Sequence, residues 1–425
     1  MNREMKNSNI PWIGDIPATW TTCLIKQVMR NKSIKGYPNE TVLSLYRDYG
    51  VIPKDSRSDN HNITSEDTSN YKFVEVGDFV INKMKAWQGS MAVSDYQGII
   101  SPAYYICRFT SNDIYKRYIH YLLRNETYKT EYMRLSSGLR VGQWDLNVED
   151  FLRIPMVLPL YTEQKLIADF LDKKCEEIDE LVALQEKIIE ELKSYKQSVI
   201  TETVCKGLNP NAPMKDSGVE WIGEIPEKWN VMRLKNKYLL RTGTTPDNFE
   251  DISEENVNWF TPSDIKEEGN IIYQSERKLS CKCINENKIQ LFPQGSLIFV
   301  GIGASAGKIG YTEVEGYSNQ QITALIPQHG VYSKYFYYFM CADKKRLKDN
   351  AFYTTLPIIN NSYLSQNKII VPLIEEQQEI ADYLDKKCSE IDQLISIKQQ
   401  KIVELKEYKK SLIYEYTTGK KRVEA

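Results

Sequence analysis

The chain repeats itself, and the repeat limits what it can fold into. Trp12-Ile13-Gly14-Asp15-Ile16-Pro17 with Trp20 returns as Trp221-Ile222-Gly223-Glu224-Ile225-Pro226 with Trp229. Farther along, Pro159-Leu160 through Leu171-Asp172-Lys173-Lys174-Cys175 returns as Pro372-Leu373 through Leu384-Asp385-Lys386-Lys387-Cys388. Between these matched ends the two copies scarcely resemble each other. A repeated frame around two divergent inserts implies two heads of related architecture and different surface chemistry.

The second repeated segment reads as a long helix in each copy. Residues 163–205 contain neither Pro nor Gly, and Leu171, Cys175, Ile178, Val182, Gln185, Ile189, Leu192, Lys196 and Val199 alternate steps of four and three. Leu384, Cys388, Ile391, Ile395, Lys398, Ile402, Leu405, Lys409 and Leu412 keep the same rhythm in the second copy. That spacing is a heptad seam, and Leu181, Leu184, Ile188 and Tyr195 are expected to widen it. Two helices with matching seams in one chain are expected to pair, and a pseudo-twofold relation between the copies makes them antiparallel. Gln185 and Lys398 are then the central polar seam positions. Helices of roughly forty residues are about 60 Å long at 1.5 Å per residue, a span suited to holding two heads a fixed distance apart.

The expected architecture is α/β: two pseudo-symmetric heads separated by two long antiparallel coiled-coil helices. Residues 1–158 form the first head, 159–205 the first long helix, 206–219 a linker (Lys206-Gly207-Leu208-Asn209-Pro210, then Pro213 and Gly218), 220–370 the second head and 371–417 the second long helix. Each insert mixes strand-like runs, such as Lys72–Ile81 and Lys288–Val300, with Tyr-rich helical stretches at Ile114–Leu123 and Val331–Met340.

Charge qualifies any partner. The whole chain is −2, but residues 160–200 hold six Lys against ten Asp and Glu, and residues 372–413 hold seven against nine. The remainder is therefore positive by four charges, which permits contact between the heads and phosphate. No run of eighteen apolar residues exists, so no membrane span is expected, and the polar N-terminus points to the cytoplasm. The eight Cys and three His lack two close ligand pairs, so no metal site is expected. Cys175 and Cys388, at matching points of the repeat, are expected to be small buried apolar residues.

Catalytic motifs fail on inspection. Gly301-Ile302-Gly303-Ala304-Ser305-Ala306-Gly307-Lys308 has Ile302 and Ile309 where a phosphate loop needs Gly and Ser or Thr, so it reads as a glycine-rich turn. Ser101-Pro102-Ala103-Tyr104 lacks the leading Asn or Asp and the second Pro of an amino-methyltransferase loop. What remains are polar loop residues able to meet base edges or phosphates: Lys83, Lys85, Arg134, Arg140, Gln143, Lys308, Asn319, Gln320, Thr354, Asn360 and Asn361.

Trp221-Ile222-Gly223-Glu224-Ile225-Pro226-Glu227-Lys228-Trp229 opens the second half, and Ile370-Val371-Pro372-Leu373-Ile374-Glu375-Glu376-Gln377-Gln378-Glu379-Ile380-Ala381-Asp382-Tyr383-Leu384-Asp385 closes it. With their first-half counterparts, these motifs resemble the specificity (HsdS) subunit of type I restriction-modification enzymes. The resemblance implies target recognition domains that each read half of an asymmetric split site in double-stranded DNA, with the coiled coil fixing the gap. It implies two modification subunits, which bind S-adenosylmethionine and methylate adenine at N6, and two restriction subunits, which use ATP and Mg to translocate and cleave. This chain itself would then be non-catalytic and carry no cofactor. The alternative is a scaffold that bridges two protein partners through unlike heads without touching DNA.

Overall fold

A computed structural model describes residues 3–47, 49–57, 67–138, 144–246, 256–286, 289–350, 352–353 and 357–423. They fall into two compact units, Met1–Glu186 with Gln399–Ala425, and Lys187–Lys398. Among the described residues no helix is long and apolar enough to cross a membrane.

The first unit is built on a four-stranded antiparallel sheet, in the order Met29–Lys32, Tyr104–Phe109, Phe79–Asn82, Met91–Val93. Side chains alternate across a strand, and here both faces are covered. Phe79, Ile81, Met91 and Cys107 join the main core, which also takes helices α1 (Lys116–Arg124) and α2 (Glu126–Leu135) through Tyr118, Leu122 and Tyr128. Val80, Ala92 and Ile106 pack on the other side against Leu43, Val51, Val74 and Ile100. Burial on both faces explains why Phe79-Val80-Ile81 is an unbroken apolar run rather than an alternating one. The expected strand across Lys72–Ile81 is two strands, Lys72–Val74 and Phe79–Asn82, because Gly77, at φ +86°, turns the chain between them.

The repeated Trp-Ile-Gly motif is structural. Asp15–Pro17 pairs with Met5–Asn7, and Gly14, at φ +71°, makes the turn that brings them together. Trp20 is fully buried and donates its indole N–H to Glu163 at 3.0 Å. After the short helix α3 (Val148–Leu152) and the strand Pro155–Leu158 comes α4, Tyr161–Lys206. Gln164 in its first turn is fully buried, accepts the Tyr115 N–H (2.8 Å), and donates to the carbonyls of Asp113 and Pro159 (3.0 Å each).

The second unit repeats this plan. Its five-stranded sheet runs Tyr238–Thr242, Ile322–Pro327, Leu297–Val300, Ile309–Thr312, Asn270–Ile272, the last strand parallel to its neighbour. Leu297, Phe299, Ile309 and Leu325 face the core with Tyr335 and Phe336, while Ile298, Val300, Ile322 and Ala324 face Phe260 and Phe292. Its shorter helices among the described residues are α5 (Cys281–Glu286), α6 (Ser333–Asp349), which outruns the expected Val331–Met340, and α7 (Asn361–Gln366). The second long helix is α8, Ile374–Thr417. Trp229 donates to Glu376 (3.1 Å), and Gln377 accepts from Tyr332 N–H (2.8 Å) and donates to Pro372 (2.9 Å). These are the contacts of Trp20 and Gln164 again.

Each long helix contributes its opening part to one unit and its closing part to the other. In the first unit Phe170 packs on Tyr416 (ring centroids 4.5 Å) and Asp179 takes the Lys409 ammonium at 2.6 and 2.7 Å. Partner numbers fall as residue numbers rise, so the helices run antiparallel. In the second unit Lys196 reaches Asp392 at 2.7 Å. Asp179 and Asp392, like Lys196 and Lys409, are counterparts in the repeat, so this is one ion pair made twice. Leu171, Cys175, Ile178, Ile189, Leu384, Cys388, Ile391 and Leu412 are buried as the seam requires. Val182, Gln185, Leu192, Ile395, Lys398, Ile402 and Leu405 are half-buried. The expected widening of the seam is corrected: Leu181, Leu184 and Tyr195 are exposed, because a two-helix contact covers only a narrow stripe of each helix. Gly207 and Gly419, both at φ +75°, end α4 and α8.

Candidate functional site

In the first unit three loops are tied together by backbone hydrogen bonds. The Lys83 N–H donates to Ala103 (3.4 Å), the Leu146 N–H donates to the Lys83 carbonyl (3.1 Å), and the Tyr104 N–H closes the turn on Ser101 (3.1 Å). The turn after Phe79–Asn82, the turn before Tyr104–Phe109 and the approach to α3 therefore meet at one locus. Its side chains are cationic and aromatic. Lys83 lies 3.5 Å from the Asp145 carboxylate, and the Trp87 ring meets Trp144 at 5.6 Å between centroids. Lys72 donates to the Tyr104 carbonyl at 2.6 Å. Burial, then the nearby charges of Lys83 and Lys35, pushes the Lys72 ammonium below its usual pKa.

The second unit joins the corresponding loops in the same way. The Gly301 N–H donates to Gln321 (2.9 Å), the Ile359 N–H donates to Gly301 (2.8 Å), and the Ile322 N–H closes on Asn319 (3.2 Å). Gly301, Gln321 and Ile359 thus occupy the places of Lys83, Ala103 and Leu146. Asn360 caps α7 by accepting from Tyr363 N–H (2.8 Å), as Asn147 caps α3 by accepting from Glu149 N–H (2.8 Å). Here the chemistry is amide and hydroxyl. Asn361 accepts from the Thr323 hydroxyl (2.9 Å) and donates to Thr242 (2.7 Å), Asn319 donates to the Gln321 side chain (3.2 Å), and Thr245 donates to Gln320.

Seven of the residues singled out in the sequence lie on these loops: Lys83 and Lys85 in the first unit, Lys308, Asn319, Gln320, Asn360 and Asn361 in the second. Arg134 sits instead on α2, held by both oxygens of the buried Glu131 carboxylate (2.8 and 2.6 Å). Lys308 closes the glycine-rich turn between Leu297–Val300 and Ile309–Thr312, and donates to the Ile265 carbonyl at 3.2 Å. Arg140, Gln143 and Thr354 lie outside the described residues. Lys35 and Lys72 are not among the residues singled out in the sequence. Lys72 reaches the locus through its bond to the Tyr104 carbonyl, and the Phe73 N–H bond to the Ile34 carbonyl (2.7 Å) brings the segment carrying Lys35 alongside Lys72.

Both loci are fixed frames bearing exchangeable side chains. Ammonium groups suit phosphate, and Asn and Gln present the donor–acceptor pair that matches a base edge.

Residues 17–194 and 226–407 match the model of the type I restriction modification DNA specificity domain, once in each half. The chain is 31% identical over 186 residues to the type I restriction enzyme MjaIX specificity subunit of Methanocaldococcus jannaschii, covering 42% of this chain and 41% of that relative's length. It is 24% identical over 370 residues to the MjaVIII specificity subunit of the same organism, covering 83% of each. A chain from a structure titled as the basis of complex assembly and conformational transition of the type I R-M system shares the fold, with a TM-score of 0.74 at 15% identity, over 95% of this chain and 98% of that one.

Proposed function

Since the chain belongs to the type I restriction-modification DNA specificity family, we propose that its two heads read the two unlike halves of one bipartite site in double-stranded DNA. Each head presents its three-loop locus to the major groove, and the paired α4 and α8 set the gap between half-sites. The chain contributes recognition and no catalysis. Two modification subunits, carrying S-adenosylmethionine, methylate adenine at N6 where this chain directs them, and two restriction subunits supply ATP- and Mg-dependent translocation and cleavage. The complex works in the cytoplasm.

The observation that supports this reading best is the repeated locus. Lys83, Ala103 and Leu146 make the same backbone bonds as Gly301, Gln321 and Ile359, yet the displayed groups differ almost completely. A bridging scaffold has no need to preserve so small a loop frame while exchanging everything it displays.

The test is adenine-methylation sequencing of DNA from cells that express this chain with its modification subunit, against cells lacking this chain. A split N6-methyladenine motif of fixed gap, dependent on this chain, is the expected result. Exchanging the first head for a relative's should change one half of that motif and leave the other. A stable complex that methylates without sequence preference would refute the assignment.

A further inference from the structure

Among the described residues, the sheet of the second unit carries a strand that the first does not, Asn270–Ile272, placed beyond Ile309–Thr312 at the edge. The loop leading to it brings Glu267 over the helix α6. Lys344 Nζ lies 2.8 Å from the Glu267 carboxylate and also donates to the Glu267 backbone carbonyl. Lys308 Nζ lies 4.0 Å from the same carboxylate. Lys348 stands one turn beyond Lys344 on α6. The hydrogen bond from Lys344, with the charges of Lys344, Lys348 and Lys308, holds the Glu267 carboxyl below its usual range. Among the described ion pairs, neither Lys308 nor Lys344 has a second acidic partner.

Two features distinguish this cluster from a routine surface ion pair. Its exposure is inverted: the Lys308 and Lys344 side chains are each 18% exposed, while Glu267 is 60% exposed. The carboxylate is the exposed member and the ammonium groups the covered ones, and among the described ion pairs this one carboxylate meets both. The cluster also adjoins the second locus. A methyl group placed on Gly307 would meet Lys348 Cβ at 3.6 Å and Ile359 Cδ1 at 3.8 Å, so the glycine-rich turn, α6 and the third loop of the locus are packed neighbours.

We propose that Lys308, Lys344 and Lys348 form the phosphate-binding cluster of the second head, and that Glu267 is a displaceable counter-ion that any DNA must replace. This rests on the DNA-reading role proposed above and adds a built-in competitor to it. A backbone phosphate presents the same kind of oxygen to the same ammonium groups, and its arrival releases the loop carboxylate to solvent. Glu267 thereby weakens attachment to DNA of any sequence, and only a site that adds base contacts offsets the loss.

The experiment is duplex-DNA binding by the full chain with its modification subunit, measured by fluorescence anisotropy across a salt series on a duplex without the methylated motif. Glu267→Gln keeps the loop's shape and removes the competing charge. It is expected to tighten binding by up to about fivefold, the worth of one such ion pair, and to steepen the log K against log salt slope by about one. Replacing Lys308, Lys344 and Lys348 together by Met is expected to flatten the slope by about two to three. Thermal unfolding of each complex separates these effects from misfolding, and Lys344→Met alone serves if the triple variant is unstable. Unchanged affinity and slope in Glu267→Gln, with a normal melting profile, would overturn the counter-ion role. An unchanged slope in a folded lysine variant would overturn the cluster. If the unaltered complex shows no duplex affinity at any salt, the DNA-reading assignment itself fails, a result distinguishable from either.

Discussion

The Tyr118 hydroxyl donates to the backbone carbonyl of Thr417 at 2.9 Å across 299 residues of sequence, and Tyr335 makes the same bond to Val204 at 3.0 Å. Val204 and Thr417 hold matching places in the two copies, so each head closes on the last turn of the helix that belongs to the other copy. The last carbonyls of a helix have no partner within it, and here a fully buried tyrosine supplies one. Tyr118→Phe and Tyr335→Phe each leave a buried acceptor unpaired, at about 1–3 kcal/mol. Urea unfolding of the two variants should show losses of similar size. A loss at one position only would mean that the two closures are not equivalent.

His120 gives the first unit a specific acid sensitivity. It is buried, its Nδ1 accepts from Val93 N–H at 3.3 Å, and its Nε2 lies 2.6 Å from Arg124 Nη1. Burial first, then the charges of Arg124 and Arg117, holds the imidazole well below its usual pKa. The folded state therefore stays neutral where the unfolded chain, titrating near about 6.5, takes up a proton. Stability contributed by the neutral ring is present above that value and is lost as pH falls below it. His120→Gln should flatten the fall in melting temperature between about pH 6.5 and pH 5 relative to the unaltered chain. An equal fall in both would place the acid sensitivity elsewhere.

The sequence announced the frame better than the loci. Long periodic helices are visible because burial repeats every turn, and Leu171, Ile178, Leu384 and Ile391 are buried where the heptad puts them. Leu181, Leu184 and Tyr195 flank the heptad yet are exposed, because apolar character alone does not say how wide a contact is. At the loci, Lys83 and Asn361 were legible as polar residues in loops. The correspondence of Lys83 with Gly301 was not, since it is a relation between backbone hydrogen bonds and the side chains share nothing. Glu267 escaped for a related reason: an acid in a loop looks solvated until α6 places Lys344 beneath it.

The two kinds of contact between α4 and α8 should differ sharply in worth. Lys409 with Asp179, and Lys196 with Asp392, are pairs with one largely exposed member, and such pairs contribute about 0–1 kcal/mol. Leu171 and Leu384 are fully buried, and truncating either to Ala should cost about 2–5 kcal/mol. Chemical denaturation of Lys409→Ala, Lys196→Ala, Leu171→Ala and Leu384→Ala tests this directly. A lysine variant as damaging as a leucine one would mean that the ion pairs, and not the apolar seam, hold the helices together.

The residues that the seam leaves out form an exposed apolar set that occurs twice. Leu181, Leu184 and Tyr408 in the first unit are 46%, 50% and 54% exposed, and their counterparts in the second, Leu394, Ile397 and Tyr195, are 47%, 62% and 57% exposed. Isolated exposed apolar residues are ordinary, but the same set appearing twice would suit the two modification subunits proposed above. If those subunits dock there, Leu181→Glu with Leu184→Glu should remove one and leave the other. Leu394→Glu with Ile397→Glu should do the same at the second position, and the four changes together should remove both. Surface substitutions of this kind alter stability by only about 0.5 kcal/mol, so the chain should still fold. Native mass spectrometry of the co-expressed complex reads the outcome as two, one or no bound partners. Retention of both partners by the fourfold variant would exclude these faces of α4 and α8 from the docking surface.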